Sequence, residues 1–325
     1  MDSSRLWITW EIQRRNRSLS SALHADLHEL ISARSGLRRY LDLVRRTIRL
    51  LRQERPQIVF AQNPSIVLAV TAVMMSWLMG YRLIIDAHNA GLLPAEGRYP
   101  LLNAIAGFIN RRAEQVIVTN ETLRELLEEA GGRAFVLPDP IPQLPETGNS
   151  EAVGPHSFDI LLVCSWSSDE PWQEVLKAAA SLPEGIVIHI TGNFRKVITD
   201  EQIVPQNVRL TGFLSEEEYV AMLKDCDAIM VLTHREDCLV CGGYEAVAAG
   251  KPLLLSDTQA LRDHFDAGCV YTVNDAGSIA DAVADLQTHA DSLREQIAEL
   301  KQRLIVDMQQ RITALEQEVL SQRRG

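Results

Sequence analysis

The 325-residue sequence is poor in cysteine, with five, and in aromatic residues, at 6%. The cysteines are scattered and odd in number. That argues against a disulfide framework and predicts a reducing compartment, the cytoplasm. A secretory signal is not expected, because "MDSSR" leads straight into a short strand-like "LWITW". Apolar runs long enough to span a bilayer are also lacking, since spanning needs about 20 residues. The longest run, "IVLAVTAVMMSWLMG" at 66–80, reads as a buried helix packed on a sheet.

What is present suits a soluble globular protein. Hydrophobic residues make up 46% and charged residues 23%, enough for two ordinary domains with real cores. The net charge of −11 is unevenly placed: residues 1–60 carry +6 and the remainder −17. Arg14, Arg15 and Arg17 open the basic end, followed by Arg38, Arg39, Arg45, Arg46, Arg49, Arg52 and Arg55. An acidic chain with one basic end argues against nucleic-acid binding. The basic end suits an anionic phospholipid surface or a phosphate-bearing acceptor, or is simply a solvated helix face.

Short β-branched runs alternate with helical segments. In the first half they are 6–10, 58–62, 82–86, 115–119 and 134–138; in the second, 159–164, 186–191, 208–212, 228–233, 252–256 and 270–273. They are continuous rather than alternating in hydrophobicity, which predicts parallel strands buried on both faces. Between the sets, residues 138–157 hold five prolines and no apolar period, and read as a linker. The expectation is two doubly wound α/β units joined near residue 145. Ligands of such sheets bind at the carboxyl ends of the strands, so the crevice between the units is the expected site. From Ser278 onward apolar residues recur at spacings of three and four, predicting a helical tail that packs on the body or meets a helical partner or a second copy.

The stretch "HREDCLVCGGYEAVAAGKPLLLSD" at 234–257 concentrates chemistry. Cys238 and Cys241 stand in C-x-x-C spacing near His234. A structural zinc site usually wants four ligands, and the other cysteines lie in or beside apolar runs, so no metal is expected. The carboxylates are the stronger candidates. Asp237 lies in the loop leaving a strand, and Glu245 lies on the first turns of the next helix, with glycines between. Two carboxylates so placed suit the vicinal hydroxyls of a sugar or ribose, and the helix start near Cys241 and Gly242 favours a phosphate.

"D-x(7)-E-A-V-A-A-G-K-P" resembles the E-x(7)-E motif of retaining glycosyltransferases of family four. "AEQVIVTNETLRELLEEAGG" (113–132), "LPDP" (137–140) and "VRLTGFLSEEEYVAMLKDCDAIMVLT" (208–233) are similar to other family segments in order and spacing. The resemblance runs over about residues 6–290. It implies the GT-B fold: two Rossmann-like domains facing a central cleft, here with the helical C-terminal tail. It implies an acceptor-side domain at 1–140, a linker at 141–157, a donor-nucleotide domain at 158–277 and the tail at 278–325. The implied reaction moves a sugar from a nucleotide-sugar donor to a glycan or lipid-linked acceptor with retention, without a cofactor or metal. Carried over, Glu245 would bind the donor ribose and Asp237 the donor sugar, with Glu236 as its alternative. The amides around Cys241, Gly242 and Gly243 would face sugar or diphosphate. A plain helix cap for Glu245 and a solvated loop acid for Asp237 are the competing readings.

The sequence also departs from that pattern. The arginine and lysine that neutralise the donor diphosphate are replaced by Ser165 and Glu170 in "VCSWSSDEPW". Arg195 and Lys196, after Gly192, or Arg235 are the candidate substitutes; otherwise the chain is a GT-B binding or scaffold protein without catalysis. The usual glycine-rich loop of the first domain is replaced by "WEIQRRNRS". There Glu11, Arg14, Arg15 and Arg17 would meet an anionic acceptor, with Asn63, His88 and Asn89 lining the same side. His88 in "DAHN" is the candidate to face the transferred sugar.

Overall fold

The computed structural model describes residues 4–63, 65–87, 89–92, 94–148, 158–198 and 204–317. The chain divides into two compact units: Met1–Pro140 together with Asp307–Gly325, and Ile141–Val306.

Unit 1 is built on six strands: β1 (Arg5–Thr9), β2 (Asp26–Glu29), β3 (Ile58–Asn63), β4 (Arg82–Ala87), β5 (Gln115–Val118) and β6 (Ala134–Val136). They form one parallel sheet in the order β2-β1-β3-β4-β5-β6. Its helices are α1 (Arg14–Ala22), α2 (Gly36–Glu54), α3 (Ile66–Met79), α4 (Asn89–Leu92), α5 (Pro100–Arg112) and α6 (Glu121–Glu129). Successive strand residues feed opposite faces. Leu6, Ile8, Val59, Ile85 and Val116 join one apolar cluster, while Trp7, Ile58, Phe60, Ile84 and Ile117 join another. With both faces covered, every strand position can be apolar, and the runs are continuous for that reason. The exception is β2, which the sequence does not predict. Three of its four residues, "DLHE", are polar and none is buried, as an edge strand with one neighbour permits.

Unit 2 has six strands: β7 (Phe158–Leu162), β8 (Ile186–Thr191), β9 (Val208–Gly212), β10 (Ala228–Val231), β11 (Leu253–Ser256) and β12 (Cys269–Thr272). They form a parallel sheet in the order β12-β11-β10-β7-β8-β9. Its helices are α7 (Trp172–Ala179), α8 (Glu216–Asp225), α9 (Cys241–Ala249) and α10 (Gln259–His264). A Ser215–Glu218 capping box starts α8. The doubly wound parallel architecture expected of both halves is present.

The expected tail is one 40-residue helix, α11 (Ala276–Leu315). Its apolar stripe is consumed by the chain itself. Ile279, Val283, Leu286 and Leu293 enter one unit 2 cluster, Ile297 and Leu300 the other, and Met308, Ile312 and Leu315 the unit 1 cluster around Trp7. No described helix is long and apolar enough to cross a membrane.

Two predictions follow from α11. Ile297 is fully buried against Gly268, whereas Ile305 is 44% exposed. Ile297→Ala should cost about 2–5 kcal/mol in denaturant unfolding, and Ile305→Ala far less. Arg303 donates to both carboxylate oxygens of Asp266, at 3.0 and 2.5 Å, and this bond holds the Asp266 carboxyl below its ordinary value. A lowered carboxyl contributes stability above the ordinary aspartate range and loses it on acidification. Arg303→Gln should therefore cost roughly 0.3 kcal/mol at neutral pH, small because the pair is exposed, and the difference should begin to shrink only as pH falls below about 4 and disappear in stronger acid, below the lowered value.

Candidate functional site

In unit 2 the predicted donor residues gather at the carboxyl ends of β7, β8 and β10. The loop after β7 is organised by Glu170. Its carboxylate accepts from the Ser165 N–H at 3.0 and 3.1 Å, the Ser165 hydroxyl at 3.0 Å and the Ser167 N–H at 2.9 Å. The Cys164 thiol adds a contact at 3.4 Å, and burial, with Glu170 beside it, pushes that thiol's pKa well above the ordinary value. Trp166, between the two serines, sits at φ 64°, uncommon for a bulky residue. Its ring is buried against Trp172 and Phe194, and its indole N–H donates to the Thr191 carbonyl at 2.8 Å. Neighbouring loop amides turned to one point, here those of Ser165 and Ser167, form an anion-binding concavity. Here the anion is the chain's own carboxylate.

The loop after β8 lies against this one. Gly192 has φ +86°, and a Cβ there would stand 2.2 Å from the Cys164 carbonyl oxygen, so only glycine permits the approach. Arg195 follows, exposed, with its guanidinium 4.9 Å from the centre of the Phe194 ring. Lys196 closes the same short helical turn (Phe194–Lys196).

The loop after β10 carries the motif. Arg235 pairs with Asp169 at 2.9 Å, so this candidate cation is already engaged. Glu236 is exposed and Asp237 half-buried. Cys241 is exposed and opens α9, and Gly242 and Gly243 are buried within its first turn. The sheet and the neighbouring helix account for both glycines. A Cβ on Gly242 would meet Val231 at 3.0 Å and Val163 at 3.2 Å, and one on Gly243 would meet the Phe265 ring at 2.8 Å. Their smallness therefore serves the packing of α9, whereas the sequence suggests room for a ligand. Glu245, half-buried on α9, accepts from the Tyr219 hydroxyl at 2.5 Å. It is not a helix cap. Tyr219, on α8, escapes sequence reasoning because its link to Glu245 spans 26 residues. The exits of β10, β11 and β12 are fixed by a chain of bonds: Thr233 N–H to Ser256 Oγ at 2.8 Å, Ser256 to Asn274 Oδ1 at 2.7 Å, and Asn274 Nδ2 to the Thr233 carbonyl at 2.9 Å. Among the described residues, no three side chains of metal-binding type converge.

In unit 1 the predicted acceptor residues also lie at strand carboxyl ends, but their states differ. Arg15 is buried. It donates to Asp86 at 2.8 Å, to Asp139 and to the Leu137 carbonyl at 3.0 Å. Burial opposes its charge, yet the two carboxylates raise its pKa above that of an ordinary arginine. This guanidinium is committed to the fold and is not open to an acceptor. Arg17 pairs with Glu29 at 2.9 Å, and Arg14 is exposed at the start of α1. Glu11 is exposed and accepts from Gln13 at 3.0 Å. Asn63 is fully buried; its amide donates to the Gly91 carbonyl at 3.2 Å, and its Oδ1 meets no donor among the described residues. Asn89 begins α4, and His88 lies outside the described residues.

Glu170→Ala removes the acceptor for the Ser165 and Ser167 amides, the Ser165 hydroxyl and the Cys164 thiol. It should lower unfolding stability by about 1–3 kcal/mol, measured by chemical denaturation, since a hydrogen bond to a charged group is worth that much.

Two sequence families match this chain. Residues 12–138 match the glycosyl transferase 4-like domain, and residues 170–317 match the glycosyl transferase-like family. No curated protein matches it by sequence. Among solved structures, Anabaena Alr3699/HepE in complex with UDP and glucose is similar over 98% of this chain and 100% of its own, with TM-score 0.73 and 13% identity. A sucrose-phosphate synthase from Thermosynechococcus elongatus is similar over 98% and 99%, with TM-score 0.79 and 14% identity. A glycosyltransferase from Rickettsia africae is similar over 98% and 91%, with TM-score 0.63 and 10% identity. At these identities the likeness shows the fold, which is GT-B. The two matched stretches follow one another along the chain, the first resembling a glycosyl transferase 4-like domain and the second a glycosyl transferase-like domain.

Proposed function

We propose that this protein is a retaining glycosyltransferase that moves a sugar from a nucleotide-sugar donor, held by unit 2, to a glycan or lipid-linked acceptor in polysaccharide or glycoconjugate assembly. The observation that carries the reading is Glu245: a half-buried carboxylate, oriented by Tyr219, on the helix that follows the β10 exit loop. A fixed carboxylate there suits the two hydroxyls of a ribose. Asp237, with Glu236 beside it, lies upstream to meet hydroxyls of the transferred sugar. The neighbour crystallised with UDP and glucose supports a nucleotide-sugar donor.

The step needs charge compensation where the diphosphate leaves. Glu170 occupies the amides of the β7 loop, and Arg235 is held by Asp169. Arg195 and Lys196 are the cations assigned to that role. The acceptor hydroxyl attacks the face that the diphosphate leaves, with no protein nucleophile and no metal or other cofactor. His88, Asn63 and Asn89 are assigned to the acceptor side, with Glu11, Arg14 and Arg17. The working place is the cytoplasm, at the inner face of a membrane.

A second reading, a GT-B binding or scaffold protein without catalysis, is favoured by one observation: a carboxylate stands where a diphosphate needs positive charge. The two separate in a single experiment. UDP and UDP-sugars should raise the melting temperature, and a UDP-sugar with a glycan acceptor should release UDP. Glu245→Ala should weaken nucleotide binding about tenfold to a hundredfold, the loss expected when a charged hydrogen-bonding partner is removed. Binding without release of UDP supports the scaffold, and absence of binding by any nucleotide overturns the transferase reading.

A further inference from the structure

Several arginines of unit 1 are paired with carboxylates. Arg5 meets Glu316, Arg17 meets Glu29, Arg82 meets Glu114, and Arg34 and Arg46 share Asp42. A group at the amino end of the sheet is not. Arg111 and Arg112 end α5, Arg133 precedes β6, and Arg52 and Arg55 end α2. All five are exposed, and none has a carboxylate within 4 Å among the described residues. They lie in two pockets. Arg111, Arg112 and Arg133 line one of about 770 Å³, with Trp77, Gly80 and Glu114, and the Glu114 carboxylate there is bound by Arg82 at 2.8 and 3.0 Å. Arg52 and Arg55 line the other, about 440 Å³, with Met79.

The end of α3 contributes to both pockets, and it is apolar. Met74 is 56% exposed, Trp77 58% and Leu78 76%. Trp77 stands edge-on to Phe108, and the Arg112 guanidinium lies 5.4 Å from the centre of the Trp77 ring. Dipole complementarity accounts for Arg111 and Arg112 at the end of α5. It does not account for Arg133, nor for an exposed tryptophan and leucine side by side between two arginine pockets.

We propose that this end of unit 1 docks on an anionic phospholipid bilayer. Trp77, Leu78 and Met74 enter the headgroup layer, and the two pockets receive lipid phosphates. Guanidinium groups bind phosphate in a fork, and tryptophan prefers the boundary between water and hydrocarbon. The basic amino end of the chain suggests such a contact, but Arg15 and Arg17 are already paired. The surface lies at the opposite end of the sheet from the residues assigned to the acceptor. The proposal rests on the functional reading only for its purpose; its geometry belongs to unit 1 alone.

Flotation with vesicles tests it. The protein should float with vesicles rich in anionic phospholipid at low salt, and not with phosphatidylcholine alone. Lipids brominated near the headgroup end of the acyl chains should quench tryptophan fluorescence, and Trp77→Phe should remove the quenching, because Trp7, Trp10 and Trp166 are buried and Trp172, half-buried, belongs to unit 2 and packs on Trp166. Exchanging Arg111, Arg112 and Arg133 for Gln together should weaken vesicle binding about a hundredfold, at about fivefold per arginine. UDP should raise the melting temperature of this variant as it does that of the parent, which keeps the outcome apart from the fate of the transferase reading. Failure to float, or equal flotation of the triple variant, overturns the proposal. So does stabilisation by inorganic pyrophosphate that depends on the three arginines without vesicle binding, which would make the pocket a site for a soluble anion.

Discussion

The carboxyl edge of the unit 1 sheet depends on one buried cation. Arg15 enters from the start of α1 and ties the end of β4, through Asp86, to the segment after β6, through Asp139 and the Leu137 carbonyl. Asp86 is wholly buried. Such a cluster adds little net stability relative to an apolar packing. Loss of one member, however, leaves an uncompensated buried charge, at a cost of about 3–5 kcal/mol. It therefore fixes geometry rather than supplying binding energy. The polar chain beside it, in which Trp7 donates to Asn16 at 3.1 Å and Asn16 to Thr9 at 3.2 Å, extends the same constraint to β1.

Unit 2 solves the same problem with the opposite charge. Amides of the β7 loop turn inward around a left-handed Trp166, and Glu170 fills the place to which they point. The loop is complete without a ligand. A phosphate arriving there competes with a carboxylate five residues from Ser165 along the same chain, whose local concentration is high. On the proposed reading, charge compensation then falls to Arg195 and Lys196. Glu170, where the resemblance implies a lysine, shapes this loop through its bonds to Ser165 and Ser167.

How much of this the sequence reveals follows from the range of each interaction. Eleven strands are visible as continuous apolar runs; β2 is not, because three of its four residues are polar and none is buried. Glu245 is visible through the spacing of its motif. The fate of Arg15 is hidden because its carboxylates stand 71 and 124 residues away. Asp86, closing the apolar run "RLIID", is the one local hint, since a carboxylate at the end of a buried strand needs a partner. The glycines of α9 are misleading for a similar reason: Phe265, which Gly243 must accommodate, is 22 positions on. The apolar period of α11 is plain in the sequence, but not that three separate clusters divide it.

The two ends of the unit 1 sheet have different characters. At the carboxyl end, the buried Arg15 is paired with Asp86 and Asp139. At the amino end, arginines are left without carboxylates beside an apolar ridge. Strands of five or six residues separate these ends by about 15–20 Å. A bilayer held at the amino end is therefore that distance from Asn63 and the start of α4. An acceptor reached there must extend from the lipid surface by about the same length, which is several sugar units rather than one. That geometry favours a growing, lipid-anchored glycan over a lipid whose headgroup is itself the acceptor.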